Sequence, residues 1–425
     1  MLTYDQSGEI FDRIRKLSSA DEVEVHISGG RFALTRFANN TIHQNVAEEN
    51  HVVSVRTAFG EKTARAFTNK FDDESLRRVV KSSESLARVQ HPDPDLLAMP
   101  DARSAGKGGE CVPARYFEQT AAITPELRAE SVRKIVGVAD AHKLTTAGVF
   151  SSAESFEGFF NSRGLTRWHA QTLAEISVTM LAADSSGWQK ANSPNIANLD
   201  FLELAEIAAK KAVDCAHPRE IPAGKYTVIL EPAAVLDIVG FMFWDYSGMA
   251  ILDQRSFLTG RIGTKLFGDN VTIWDDVAHP LQAGPAFDGE GVRRQILALV
   301  EKGVVQRVVY ARATAERMKR SEYKDNVGPI EATGHGFSLP NEMGEMPVNI
   351  VFAPASDPQT VEQMIASTER GILVTRLWYI REVEPFEKML TGMTRDGTFL
   401  VENGRVQGGV RNFRFNESLI HMLSN

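Results

Sequence analysis

The sequence predicts an α+β protein, and three observations predict it. In the first half, helix patterns bracket runs of antiparallel-type strand pattern. In the last half, strand patterns dominate and helix patterns are few. Gly-containing turns, Glu301-Lys-Gly303 and Glu402-Asn-Gly404, join several of those strands.

The elements follow in chain order. Residues from about Ser7 to Ser18 form an amphipathic helix pattern, with Ile10, Phe11, Ile14 and Leu17 on one stripe. Strands are expected at Glu22–Ser28, Phe32–Phe37, Val52–Phe59 and Lys62–Phe67. A helix from Asp72 or Asp73 to Val89 opens with acidic residues and carries Leu76, Val79, Val80 and Leu86 near one face. A looser Pro- and Gly-containing connection runs from His91 to about Thr124. Thr124 then caps a helix with Pro125 in its first turn, which runs to His142. Strand pattern resumes at Thr146–Phe150, Phe156–Phe160 and Leu165–Ala182, with turns at Asn161-Ser-Arg-Gly164 and Asp184-Ser-Ser-Gly187. Asp200 and Glu203 resemble a capping box for a helix through Ala212.

Gly224 to Leu230 reads as a buried strand, closed by Glu231 and Pro232. The stretch from Ala233 to Met249 reads as one helix apolar on every side, covered by sheet on one side and by a cleft or second subunit on the other. Asp237 and Asp245 interrupt it, and it is too short to span a bilayer comfortably. Beyond it, strands are expected at Val271–Trp274, Gln295–Val300, Val304–Tyr310, Val348–Phe352, Ile372–Ile380, Thr398–Val401 and Val406–Phe415. Helices are expected at Pro358–Glu369 and in a tail from Asn416. The expected division is an N-terminal α+β domain over 1–95, a middle α+β region over 96–220 and a β-rich domain over 221–425.

Composition narrows the function classes. Hydrophobic content of 43% and charged content of 24% suit a soluble globular chain of 425 residues. The net charge of −8 is spread without a basic block, which argues against nucleic acid. Cys111 and Cys215 form no metal-type pair and read as two free thiols of a reducing compartment. The first residues lack an apolar signal core, so a cytoplasmic location is expected, with no membrane partner.

Several segments together resemble the TldD/PmbA (TldE) family. They are Gly260-Arg-Ile-Gly263, Val271-Thr-Ile-Trp-Asp-Asp276, Phe287-Asp-Gly-Glu-Gly-Val-Arg-Arg294 and Leu299-Val-Glu-Lys-Gly-Val-Val305, ending near Ala313-Thr-Ala-Glu-Arg317. Asn161-Ser-Arg-Gly164 resembles the family's middle-domain turn. The run from Thr391 to Gly404 and Val410-Arg-Asn-Phe-Arg-Phe415 resemble its C-terminal region. The resemblance spans nearly the whole chain in order. It implies an α+β N-terminal half and a β-rich C-terminal domain enclosing a cleft. It also implies a homodimer, or a heterodimer of TldD and TldE type. The expected activity is zinc-dependent cutting of unfolded or modified peptides by a family once described as gyrase modulators.

The resemblance also shows what is missing. Active members carry HExxxH on the helix after the first strand of the C-terminal domain, with a Cys far downstream as a further zinc ligand. Here the metal-binding places fall approximately on Gly240 and Asp245, and the general base on Phe241. No His of this chain is followed by Glu, and no Cys follows Cys215. A zinc hydrolase needs about three protein ligands and an open position. The expectation is therefore a TldE-like chain with no metal of its own, zinc being supplied by a TldD-like partner, and with no assigned catalytic residue.

The substrate-binding candidates are Trp244, Asp245, Arg376, Tyr379, Arg381 and Arg395. On a strand, Arg376, Trp378 and Ile380 face one way while Leu377, Tyr379 and Arg381 face the other. Such a strand can pair with an extended peptide and hold its carboxylates. Two alternatives stand beside this reading: a self-sufficient peptidase with a non-standard site built on Asp237, Asp245, Asp253 or His335, and a homodimeric peptide-binding scaffold. Ser247 and Ser256 have no triad pattern, and the Gly-rich stretch around Gly284–Gly291 lacks a phosphate-loop lysine.

Overall fold

The structure is a computed structural model, and it describes residues 1–106 and 112–424. Cys111 lies outside the described residues; Cys215 is a buried free thiol, as expected for it.

The first half is a six-stranded antiparallel sheet with helices. It contains α1 (Tyr4–Leu17), β1 (Glu22–Ala38), β2 (Thr41–Phe59), β3 (Lys62–Thr68), α2 (Asp73–Val89), α3 (Glu118–Ala121), α4 (Pro125–Ala141), β4 (Thr145–Asn161), β5 (Thr166–Leu181), β6 (Ser186–Ser193) and α5 (Phe201–Asp214). The strand order is β3-β2-β1-β4-β5-β6. Each helix starts where a side chain can accept the first free N–H groups: Thr3 for α1, Asp72 for α2, Thr124 for α4 and Asp200 for α5. Val23, Val25, Ile27 and Phe37 of β1 share one strand face. The first three pack under α1 and α2, and Phe37 packs under α4 and α5.

Two pairs of expected strands are continuous. Glu22–Ser28 and Phe32–Phe37 are one strand, because Gly29 and Gly30 sit where a Cβ would strike the neighbouring strands, at Asn50 O and Glu154 O. Thr146–Phe150 and Phe156–Phe160 are likewise one strand. The expected turn at 184–187 falls slightly earlier, between β5 and β6, where Ala182 N donates to Ser185 O at 3.0 Å; Gly187 is inside β6, pressed against α5 where no side chain would fit. Leu86 is not on the buried face of α2 but 46% exposed.

The second half holds β7 (Thr227–Leu230), α6 (Pro232–Val239), a 3-10 turn at Gly240–Asp245, α7 (Gly248–Leu252), β8 (Ile273–Asp275), β9 (Leu297–Glu301), β10 (Val304–Val305), α8 (Arg312–Lys319) and β11 (Ile350–Phe352). After these come α9 (Val361–Ser367), β12 (Arg370–Glu384), β13 (Met389–Glu402), β14 (Arg405–Gly409), β15 (Arg414–Ser418) and α10 (Leu419–Leu423). One sheet runs β10-β9-β8-β11; the other runs β14-β13-β12-β7, with β15 also on β13. One hydrophobic core joins both sheets to α6, the 3-10 turn and α7. The chain is thus α+β with a β-rich C-terminal region.

Two expectations about the central stretch are corrected. Strand β7 is not a buried strand but a short edge strand, parallel to β12, with Thr227 and Val228 exposed. The apolar stretch is not one enclosed helix: it breaks at Gly240 into three short pieces and leaves Leu236 73% and Trp244 51% exposed. The remaining differences are smaller. Helix α8 lies in a segment read only as motif, and Val406–Phe415 divides into β14 and the start of β15.

The alternation of acid and glycine at 288–291 acquires a role in the fold. Asp288 Oδ1 accepts from Glu290 N and Val292 N, closing a tight loop. Gly291 has φ +76, and a Cβ there would lie 2.6 Å from Phe159 of β4. The loop therefore seats against the first sheet, beside Ala105, Leu165 and Phe287. Hydrogen bonds from ion-paired arginines cross the same seam. Glu24 of β1 binds Arg56 and Arg65 at 2.7 and 2.5 Å, and Arg65 Nε donates to Leu339 O at 2.6 Å. Arg312 pairs with Glu290 at 3.6 Å and donates to Ala98 O.

A lysine-filled candidate site in the C-terminal region

The 3-10 turn after α6 determines which side chains point inward. Its tighter winding ends with Asp245 buried while the adjacent Trp244 stays in solvent, its ring 6.2 Å from that of Phe337. Facing this turn is the hairpin between β12 and β13, residues 385–388. Lys388 ends that hairpin in the left-handed region, φ +47, and its side chain points back toward the 3-10 turn. Between the two lies a cavity of about 870 Å³, lined by Gly240, Phe241, Trp244, Asp245, Glu382 and Lys388 among others.

The Lys388 ammonium is gripped by three oxygens. It lies 2.5 Å from Asp245 Oδ2, 2.7 Å from Glu382 Oε1 and 3.4 Å from the Phe241 carbonyl, with the Phe257 ring 5.5 Å away. The Lys388 side chain is only 3% exposed, and that of Asp245 7%. Asp245 Oδ1 accepts from Phe257 N at 3.0 Å. Burial pushes the Asp245 carboxyl above the usual carboxylate range, while Lys388 and the Phe257 N–H pull it back. A buried charge requires such pairing, since an unpaired one costs several kcal/mol.

These residues do not suit a catalytic metal. Gly240 and Phe241 offer no ligating side chain, and Asp245 is committed to an ammonium and an amide. Among the described residues, no group of three or more His, Cys, Asp or Glu is placed to hold a metal ion.

The strand leading away from the cavity carries most of the other candidates. Arg381 stacks on Tyr379 with its Cζ 4.6 Å from the ring centroid and donates to the phenol oxygen at 2.9 Å. Arg395 stacks on Trp378 at 4.4 Å, and Arg376 on Trp188 of β6 at 4.4 Å. Asp396 pairs with both Arg376 and Arg395. The expected simple alternation along this strand does not hold: a bulge falls between Trp378 and Arg381, and Tyr379 has φ +54. Tyr379 and Arg381 therefore meet as a stacked pair. Beyond Val374, strand β7 no longer pairs with β12. There Asp237 Oδ2 accepts from Leu377 N at 2.8 Å.

Of the six expected binding residues, the structure places Trp244 and Asp245 in the cavity wall, and Arg376, Tyr379, Arg381 and Arg395 along the β12–β13 arm outside it. Asp237, Asp245 and Asp253 do not converge: they meet Leu377 N, Lys388 and Arg255 respectively. His335 is buried elsewhere, with Nδ1 3.1 Å from Thr333 Oγ1 and Nε2 3.2 Å from Asp275 Oδ1. Ser247 bonds to Glu345 and Ser256 to the Asp245 carbonyl, so neither is poised as a nucleophile. Lys388 and Glu382 were not found by sequence reasoning. No local motif marks them, and only the folded hairpin brings them to Asp245.

No helix of the described residues is long and apolar enough to cross a membrane. Family models match three stretches: the PmbA/TldA metallopeptidase domain 1 over 23–87, its central domain over 118–216 and its C-terminal domain over 223–425. An uncharacterized protein of Methanocaldococcus jannaschii is 24% identical over 62% of this chain, and the match spans only 61% of that relative's length. The metalloprotease PmbA homolog of Haemophilus influenzae is 22% identical over 88% of this chain and 79% of its own. In fold, the chain is similar to the crystal structure of TldE from Thermococcus kodakarensis, with a TM-score of 0.84 at 18% identity over 98% of this chain and 92% of that one. With three consecutive domain models matched in order, the chain belongs to the PmbA/TldD family.

Proposed function

We propose that this chain is a TldE-like, non-catalytic member of its family. It would hold an unfolded or modified peptide for a zinc-bearing, TldD-like homologue that cuts it. One observation carries the reading: at the place where the family resemblance puts a metal-binding helix, the cavity holds the chain's own ammonium, Lys388, with both nearby carboxylates turned to it. A zinc-bound water has no ligand set there from which to form.

The arm of β12 and β13 supports the peptide-holding role. Past Leu377, the β12 edge is no longer covered by β7, and its exposed residues include Trp378, Tyr379 and Arg381, followed by Glu382 and Val383. An extended peptide adding to that edge would gain backbone hydrogen bonds, aromatic contact and a guanidinium for its carboxylates. Among the described residues Arg381 has no carboxylate partner, so its charge is available to a ligand.

The test is reconstitution in the cytoplasmic expression host expected for it. The purified chain alone is expected to contain no stoichiometric zinc and to leave an unstructured peptide intact. Added to a zinc-bearing family member, it is expected to co-elute as a heterodimer and to raise peptide cleavage. Tightly held zinc in the isolated chain, or chelator-sensitive cleavage by it alone, would overturn the reading. Elution of the mixture as separate homodimers would overturn the partner role.

A further inference from the structure

We infer that the Lys388 ammonium is a built-in substitute for a metal ion: it joins the 3-10 turn to the β12–β13 hairpin and holds the two walls of the cavity together. The inference rests on the non-catalytic reading in one respect, that the isolated chain holds no metal.

The geometry is that of a cation cage. Two carboxylate oxygens and one carbonyl oxygen surround a single positive charge. Two of the three, Asp245 and the Phe241 carbonyl, come from the turn that follows α6; the third, Glu382, comes from β12. The cation itself comes from the hairpin. A small cation at that point would make the same cross-link, drawing both carboxylates inward and meeting the Phe241 carbonyl that Lys388 now contacts. Carboxylate and carbonyl oxygens suit hard ions such as Mn²⁺, and water from the open cavity would complete the shell. Without any cation, the buried Asp245 carboxylate would face the partly exposed Glu382 carboxylate with no counter-charge between them, and the turn and hairpin would separate.

The substitution Lys388→Met keeps most of the side-chain length and removes the charge. In chelator, K388M is expected to melt below the wild type, and Mn²⁺ is expected to restore part of the loss with one ion bound per chain. The double variant D245N/K388M is expected to lose that response. Wild type is expected to melt at the same temperature in chelator and in Mn²⁺. Lys388→Arg, which keeps a cation, is expected to show no Mn²⁺ response.

An unchanged K388M melting temperature in chelator would overturn the inference, as would a response to Mn²⁺ that survives D245N. A destabilised K388M that Mn²⁺ does not rescue would also overturn it. If K388M is insoluble in chelator, solubility on refolding with Mn²⁺ supports the inference and insolubility in both overturns it. Each of these failures leaves the non-catalytic reading intact, whereas zinc bound tightly by the wild type would overturn both.

Discussion

The buried acid of the seam, Glu290, makes the chain's stability depend on pH in a direction opposite to that of most surface carboxylates. Glu290 is 3% exposed. Burial, reinforced by the nearby Asp288 carboxyl, raises its pKa from 4.5 to about 7, against the pull of Arg312 and Arg56. Asp288 is raised too, mainly by burial, so the two acids titrate as a pair. Below about pH 4.5, Glu290 is protonated in both folded and unfolded chains and contributes no pH dependence. Between there and about 7 the unfolded chain has lost the proton and the folded chain keeps it, so stability falls as pH rises. Each pKa unit is worth about 1.4 kcal/mol, so the loss accumulated above neutrality is about 3 kcal/mol. Glu290→Gln removes the titration while keeping an acceptor for Arg312 N, which donates to Glu290 Oε1 at 3.1 Å. Urea unfolding followed by tryptophan fluorescence at about pH 5 and about pH 8 measures the effect. The wild type is expected to lose about 2.5 kcal/mol more than E290Q between the two conditions, since part of the total loss has already accrued by about pH 5. Equal losses, or a larger loss for E290Q, would refute the argument.

Other perturbations test the remaining contacts. Glu24 has the opposite sign: burial alone would raise it, but the Arg56 and Arg65 guanidiniums hold it well below the usual carboxylate range. Its contribution is present above about pH 4.5 and lost as acid protonates the folded form, so E24Q should cost roughly 3–5 kcal/mol at neutral pH and progressively less in acid melts. Gly291→Ala adds a Cβ 2.6 Å from Phe159 at φ +76, and should destabilise by roughly 2–4 kcal/mol in urea unfolding. Asp237→Ala strips the Leu377 amide of its acceptor at the point where β7 ends; a loss of about 1–3 kcal/mol and faster hydrogen exchange at that amide are expected. On the peptide-holding reading, Arg381→Ala should weaken binding of an acidic extended peptide by about tenfold, measured by fluorescence anisotropy, with no change in melting temperature.

The helices of the first half were legible because their signals are local. Thr124 with Pro125, Asp72 with its acidic first turn and Asp200 each mark a start within a few residues, and each caps as expected. Strand continuity was less legible. Gly29-Gly30 resembles a turn in sequence, yet here it allows three strands to approach closely, a tertiary cause invisible to a local pattern. The strand at 41–51 is mostly polar because that stretch of β2 is exposed, so alternation gives no hydrophobic signal. The apolar run from Ala233 was misread for a related reason. Hydrophobicity all round argues for enclosure of a helix, but a break at Gly240 redistributes the same residues between core and cavity wall.

The candidate site divides along the same line between local and assembled information. The expectation that a ligating pair and base are missing rests on the family resemblance, which sets their places approximately at Gly240, Asp245 and Phe241. That a positive charge sits beside Asp245 could not be read from sequence, because Lys388 and Glu382 belong to a hairpin far along the chain and neither sits in a recognisable motif. The need to neutralise charge in a buried cavity supplies the missing step. An Asp at 245, more than nine-tenths buried, requires a counter-charge nearby, and the cost of leaving it bare exceeds what a single amide from Phe257 returns. A buried acid in a cavity is therefore itself a signal to look for a lysine or arginine across it. Had the sequence kept a second ligand beside Asp245, an ammonium there would have been redundant. Its presence with both carboxylates engaged is the physical reason for regarding the cavity as held together by the chain itself.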